Sequence, residues 1–393
     1  MNKGEHNIVL LSKTKKNARK ALLVQYFLMG FIFSSMLSRF PAIQEHYGLS
    51  IAQLSFIPFC MSVGAMGMMP FCGHLVGKYG CKRLSAMGYM YIALFPLLVY
   101  MPNLVLLYLL CVVYGMFVSL TDVSINANSI LIEKAYKRPI IGMFHAFFYV
   151  GMCGGALLGI LFLTLKIPVT YHLLLVAVLA IVVFYHVRTF FLKETPSKEN
   201  IARKLKVLFP KGILLLIAFI ALCGRVIEGS VSDWSTVYMK NIVDLTETMA
   251  PVGLVIYSAF VAFGRFFGDS IRKRYQGSVI LLGCCILTAV GLMIMIAGTD
   301  IYFAVTGLFI SGIGLSCLVP IIYSLAGNQK DITPGMGIAM INTISGTGFL
   351  FGPFIIGLIA DKFDMRVSFL YVLGLSLVMT LLTFVLRRRE RIG

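Results

Sequence analysis

Apolar runs of about 20 residues recur along the chain, separated by short polar breaks, and this pattern limits the fold more than any other feature. Twelve runs are read, near 21–40, 50–72, 83–101, 104–131, 140–165, 170–192, 211–239, 249–270, 277–297, 301–327, 335–360 and 365–387. A helix rises 1.5 Å per residue, so each run can cross a hydrocarbon core about 30 Å thick. Barrel strands would be about ten residues long and would alternate polar with apolar, which continuous runs do not. The predicted fold is therefore all-α: a polytopic membrane protein with twelve transmembrane helices. Composition agrees, with 59% hydrophobic and 13% charged residues, against about 25% charged in soluble domains. Soluble enzymes, nucleic-acid binders and disulfide scaffolds are disfavoured from this point.

The formal charge of +18 follows a topology. With both termini in the cytoplasm, 28 of the 34 basic residues fall on the cytoplasmic side, Arg225 lies inside a span, and five lie outside: Arg39, Lys166, Lys240, Lys362 and Arg366. That imbalance is the positive-inside pattern. It implies contact with anionic lipid headgroups, whereas a nucleic-acid surface would interleave basic residues with aromatics on a soluble face. The basic leader ending at Lys20 runs into a full-length span with no small-residue cleavage site, so the first helix is expected to be retained. The nine cysteines lie in spans or at their cytoplasmic ends and predict no structural disulfide. Cys72, His74 and Cys81 lack a fourth ligand, and no metal or cofactor is expected.

The long hydrophilic stretch at 193–210 divides the chain into six-helix units at 1–192 and 211–393, with the stretch itself a cytoplasmic linker. Such a division suggests an internal duplication with a solute site at the midplane between halves. The hairpins after the second and eighth runs, GHLVGKYGCKR and GRFFGDSIRKRYQG, occupy equivalent places in the two units. Each combines glycines with a basic cluster.

Here the chain resembles the major facilitator superfamily, specifically the small bacterial twelve-helix permeases of the fucose-permease-like sugar or drug group. The hairpin Gly73, Leu75, Gly80, Lys82, Arg83 matches the family's G-x-L-x-D-x-x-G-R/K-R/K, with Gly77 where the acid is usual. DVSINAN, FHAFFYVGMCGG, EGSVSDWS and GPFIIGLIAD carry the likeness in the fourth, fifth, seventh and eleventh runs. The resemblance implies two pseudo-symmetric six-helix bundles in the bacterial inner membrane. It also implies cytoplasmic gates built from Gly73, Gly80, Lys82 and Arg83 in one half and from Arg265, Asp269 and Arg272 in the other, with Glu133 at the cytoplasmic end of the fourth run.

Ionisable groups inside a span cost about 2.5–3.5 kcal/mol each on insertion scales, so they face water or a partner. In the fourth run Ser119, Asp122, Asn126, Ser129 and Glu133 recur at steps of three and four on one helical face. The resemblance turns that face toward a central cavity; the alternative is bridging to helices within one half. In the seventh run Arg225 and Glu228 lie three apart and are expected to neutralise each other. Proton coupling is assigned to Glu228, Asp122 and His145. Candidate solute ligands are Asn126, Arg225, Gln25, Tyr26, Trp234, Tyr323, Asn342 and Arg39. For Trp234 an interfacial belt, for Arg39 a snorkelling side chain, and for His145 a helix-to-helix hydrogen bond are the alternatives.

No P-loop and no soluble segment able to hold a nucleotide domain occur in the sequence. The expected function is thus not enzymatic: a monomeric secondary transporter of a small polar organic solute, proton-coupled and working by alternating access. An antiporter exporting amphipathic compounds and a non-transporting sensor on the same frame are the competing readings. The Gly-Pro pair of the eleventh run, absent from the fifth, argues against the antiporter.

Overall fold

The computed structural model describes residues 3–136, 140–191, 210–272, 274–327 and 334–392; the linker assigned to 193–210 falls almost wholly outside them. Among the described residues every regular element is helical, as the runs require. In the first half the helices are α1 (Lys3–Leu37), α2 (Phe40–Tyr47), α3 (Ile51–Tyr79), α4 (Cys81–Gly88), α5 (Tyr91–Leu94), α6 (Leu104–Tyr136), α7 (Ile141–Thr164) and α8 (Val169–Val187). In the second half they are α9 (Ile213–Asn241), α10 (Val252–Arg272), α11 (Gly277–Ala297), α12 (Ile301–Ser316), α13 (Leu318–Gly327), α14 (Pro334–Lys362) and α15 (Met365–Ile392).

Ten of the described helices or helix pairs are long and apolar enough to cross a membrane, and Val252–Gly268 is a shorter apolar helix. The third run departs from one continuous helix. It is delivered as α4, α5 and a 3-10 turn at Pro96–Val99; the second of these breaks falls at Pro96, which has no N–H to continue the ladder. The tenth run breaks between α12 and α13 at Cys317, because Pro320 has no N–H to offer the Ser316 carbonyl four residues earlier. Gly80 joins α3 to α4 at φ +78°, a conformation that a side chain resists, so the hairpin reverses there. Leucines, valines and phenylalanines such as Val105, Leu381 and Phe384 cover the outside, a surface suited to acyl chains.

Helix pairing repeats between the halves. In the first, α1 packs on α7 and α8, and α6 packs on α3 and α4; in the second, α9 packs on α14 and α15, and α12 packs on α10 and α11. The halves meet along two seams, α7 with α10 and α3 with α14, which exchange under the same correspondence. The α1–α7 crossing is set by small residues: a methyl at Gly151 would collide with the Phe27 carbonyl, and one at Gly30 with the Phe148 carbonyl. Close backbone approach of this kind is what drives helix association in lipid. Gly151→Ala is therefore expected to cost about 1–3 kcal/mol through overpacking, seen as a lowered melting temperature of the purified protein; an unchanged melt would contradict the crossing.

Pro353 within α14 leaves the Phe349 carbonyl without its helical donor. Ser62 of α3 supplies one across the seam, donating to Phe349 O at 3.2 Å. At the end remote from the termini the halves close on each other. Ala52 N donates to Asp361 Oδ1 at 3.1 Å, Phe354 packs between Phe56 and Phe59 at 5.0 and 4.7 Å, and Phe40 meets Trp234 edge-on.

Candidate functional site

Glu228 lies 15 residues into the 29-residue α9, so its carboxylate starts about 22 Å along the helix, near the bilayer centre. It is 6% exposed. Its partner differs from the one spacing suggests. Arg265 of α10 places Nη2 3.1 Å from Glu228 Oε1, and among the described residues this is the ion pair formed within 4.0 Å. Tyr149 of α7, in the other half, donates its hydroxyl to the same oxygen, and the Arg265 guanidinium lies over the Tyr149 ring at 4.4 Å. A carboxylate, a guanidinium and a phenol from three helices thus tie the halves together at mid-membrane. Two charges of opposite sign held this way satisfy each other in a medium where either alone is costly.

Arg225, one turn from Glu228, turns elsewhere. Its Nη2 donates to Tyr323 Oη at 3.0 Å, and Tyr323 donates in turn to Asn342 Oδ1 at 2.8 Å. Its guanidinium carbon lies 4.9 Å from the Phe349 ring centre. A second polar cluster belongs to the first half. Asn126 Nδ2 donates to Asp122 Oδ1 at 2.9 Å, Tyr26 Oη donates to Asn126 Oδ1 at 2.8 Å, and the His145 ring meets Tyr26 edge-on at 5.2 Å. His145 and Tyr149 are one turn apart on α7 and share its face, which joins this cluster to the Glu228 pair. Asp122, Asn126, His145, Arg225, Tyr323 and Asn342 all keep partial exposure.

Several expected positions are placed differently. Trp234 is fully buried, donates to Pro353 O at 3.0 Å and packs on Phe40. It forms part of the closed remote end, away from both an interfacial belt and an open solute surface. Gln25 is buried in the first half, donating to Ser85 Oγ at 3.1 Å. Arg39 is 3% exposed, donates through Nε to His172 Nδ1 at 2.9 Å and reaches the Ile167 carbonyl. Its burial and these bonds replace the snorkelling alternative. Glu133 caps a helix: Oε2 accepts from the Ile140 and Ile141 amides at 2.8 and 3.1 Å, groups that would otherwise be orphaned at the start of α7.

Of the hairpin residues, Lys82 donates to Thr189 O at 3.1 Å, Arg83 is exposed, and a methyl at Gly73 would meet open space, so no close packing depends on it. Arg265 leaves the loop charge tally for the bundle interior. The side chains of Asp269 and Arg272 lie outside the described residues. Tyr149 was not singled out from the sequence; its one signal was a hydroxyl one turn from His145 in a glycine-rich run.

Known proteins agree with this architecture. The profile of the Major Facilitator Superfamily matches residues 22–331 and 280–393. An MFS-type transporter of Yersinia pestis is 28% identical over 347 residues, covering 88% of this chain and 89% of the relative. The membrane protein MosC of Rhizobium meliloti is 23% identical over 380 residues, covering 93% and 89%. Among solved structures, an inward-facing, unoccupied bacterial homolog of the human lysosomal transporter Spinster superposes with a TM-score of 0.75 at 12% identity, covering 95% of this chain and 97% of that one. A variant of the nucleoside transporter NupG gives 0.73 at 12%, covering 95% and 99%. With its twelve-run, two-bundle helical fold and a family match over nearly its whole length, the chain belongs to the Major Facilitator Superfamily of membrane transporters and is not an enzyme.

Proposed function

We propose that this chain is a proton-coupled secondary transporter of a small polar organic solute, resident in the bacterial inner membrane with both termini cytoplasmic. Its moving parts are two six-helix units, 1–192 and 211–393, joined by a cytoplasmic segment at 193–210. The observation that carries the proposal is the Tyr149–Glu228–Arg265 cluster, which crosses between the halves at mid-membrane. A proton on Glu228 neutralises the acceptor that Tyr149 reaches from the other half and weakens that bond, so protonation and the contact between halves become one event. The sealed remote end and the partly exposed Asp122 and Arg225 support a conformation open toward the termini. The basic residues, gathered at the ends of the spans nearer the termini, support the cytoplasm as that side.

Purified protein in proteoliposomes is expected to accumulate a polar organic solute when a pH gradient is imposed. One proton moved through roughly 150 mV releases about 3.5 kcal/mol, enough for a gradient of a few hundred-fold. Flux that ignores the pH gradient would remove the coupling, and absence of solute-dependent flux under any gradient would overturn the transport reading in favour of a sensor.

A further inference from the structure

The midplane layer holds two charges of opposite sign that form no ion pair among the described residues. Arg225 spends one N–H on Tyr323, leaving four of the five that a guanidinium carries, in the fork geometry suited to a carboxylate. Asp122 takes one hydrogen bond on Oδ1 from the Asn126 side chain, and a carboxylate has about four acceptor sites. Among the described residues neither group forms an ion pair within 4.0 Å, whereas Glu228 and Arg265 do. The two belong to opposite halves, α6 and α9, and their clusters adjoin along α7, where His145 meets Tyr26 and Tyr149 meets Glu228. Both remain partly exposed.

We infer that the solute is zwitterionic, its carboxylate docking on Arg225 and its cationic amine on Asp122. This rests on the transport reading above and narrows it to a substrate class. The argument is one of charge balance in a medium that penalises net charge. A zwitterion completes both pairs and adds no charge, and it draws the halves together because each end of it is held by a different half. A solute bearing a carboxylate alone leaves Asp122 without a cation, and a neutral polyol leaves both groups unmatched. Stacking does not favour a sugar either, since the single tryptophan is fully buried against Phe40 and Pro353. The Phe349 ring is covered by Arg225 itself.

The test is ligand-dependent melting of the full-length protein in detergent, with glycine, alanine, β-alanine and γ-aminobutyrate as probes. Their N-acetyl derivatives remove the positive charge and their methyl esters the negative, and glucose and ribose serve as neutral probes. A ligand that binds the folded form raises its melting temperature. At least one zwitterion is expected to do so at about 1 mM, and its two blocked forms are not. Asp122→Asn and Arg225→Gln should each weaken that binding about 30-fold or more, the loss seen when one partner of a close charge pair is removed. Of the two, only Asp122→Asn should narrow the gap between the zwitterion and its N-acetyl form.

The inference is overturned if no zwitterion raises the melt, if sugars or singly charged probes do so in their place, or if both variants bind like wild type while keeping its unliganded melt. Uptake separates the two readings. Carriage of a neutral solute would keep transport and discard the zwitterion, whereas a zwitterion that binds through both charges yet shows no flux would do the reverse.

Discussion

Glu228→Gln protein reconstituted in proteoliposomes is expected to exchange its solute at close to the wild-type rate while losing accumulation driven by a pH gradient. Glutamine keeps the shape and an acceptor oxygen for Tyr149 and Arg265, the two groups that meet Glu228 Oε1. It cannot gain or lose a proton, so it holds position 228 permanently uncharged, as a protonated Glu228 would be. A carrier locked neutral can still alternate with solute bound, but each cycle moves no proton. The concentration ratio should therefore fall from the few hundred-fold that one coupled proton sustains to about unity. Counterflow and gradient-driven uptake measured on the same vesicles read both halves of this statement. Accumulation within about threefold of wild type would take Glu228 out of the coupling step and leave Asp122 and His145 as the titratable groups of the layer.

The sequence reported the presence of this chemistry more faithfully than its connections. An ionisable residue inside an apolar run is costly enough that its occurrence alone marks it, and Asp122, Arg225 and Glu228 were visible for that reason. The spacing of Asp122 and Asn126 also survives folding, because residues four apart on a helix remain neighbours whatever surrounds them. The same rule misleads for Arg225 and Glu228. On a helix packed on several sides, a long side chain can find a better partner on another helix, and Glu228 finds one 37 residues away on α10. Arg265 was hidden by its position next to a basic hairpin, where a loop charge is the ordinary reading. Trp234 shows the converse: a lone tryptophan near a span end suggests an interface, but the Pro353 carbonyl gives its N–H an internal partner. Proline had a double effect in α14, marking a helix irregularity in the sequence while freeing a carbonyl whose donor, Ser62, only the folded chain reveals.

Arg265→Met is expected to destabilise the protein by about 3–5 kcal/mol, because it leaves a carboxylate that is 6% exposed without its cation. Glu228→Leu should cost a similar amount for the opposite reason, stranding a guanidinium whose side chain is 8% exposed. The double substitution should cost far less than the sum, about 1.5–3 kcal/mol, since two apolar side chains need no charge partner and the loss that remains is the acceptor of the Tyr149 hydroxyl. Unfolding of the four proteins in one detergent gives the coupling energy directly. Additive losses would mean that the two groups do not compensate each other in the membrane, whatever their separation. Strong coupling gives the pair a mechanical meaning. Tyr149 attaches it to the other half through a hydrogen bond to the same carboxylate oxygen, so Tyr149→Phe, which leaves the charges matched, should cost only about 1.5–3 kcal/mol. The difference between these costs separates the two tasks of Glu228, balancing Arg265 within its own half and holding the opposite half in register. Only the second must be surrendered for the halves to move, and this is the ground for proposing Glu228, and not a residue buried wholly within either bundle, as the coupling carboxylate.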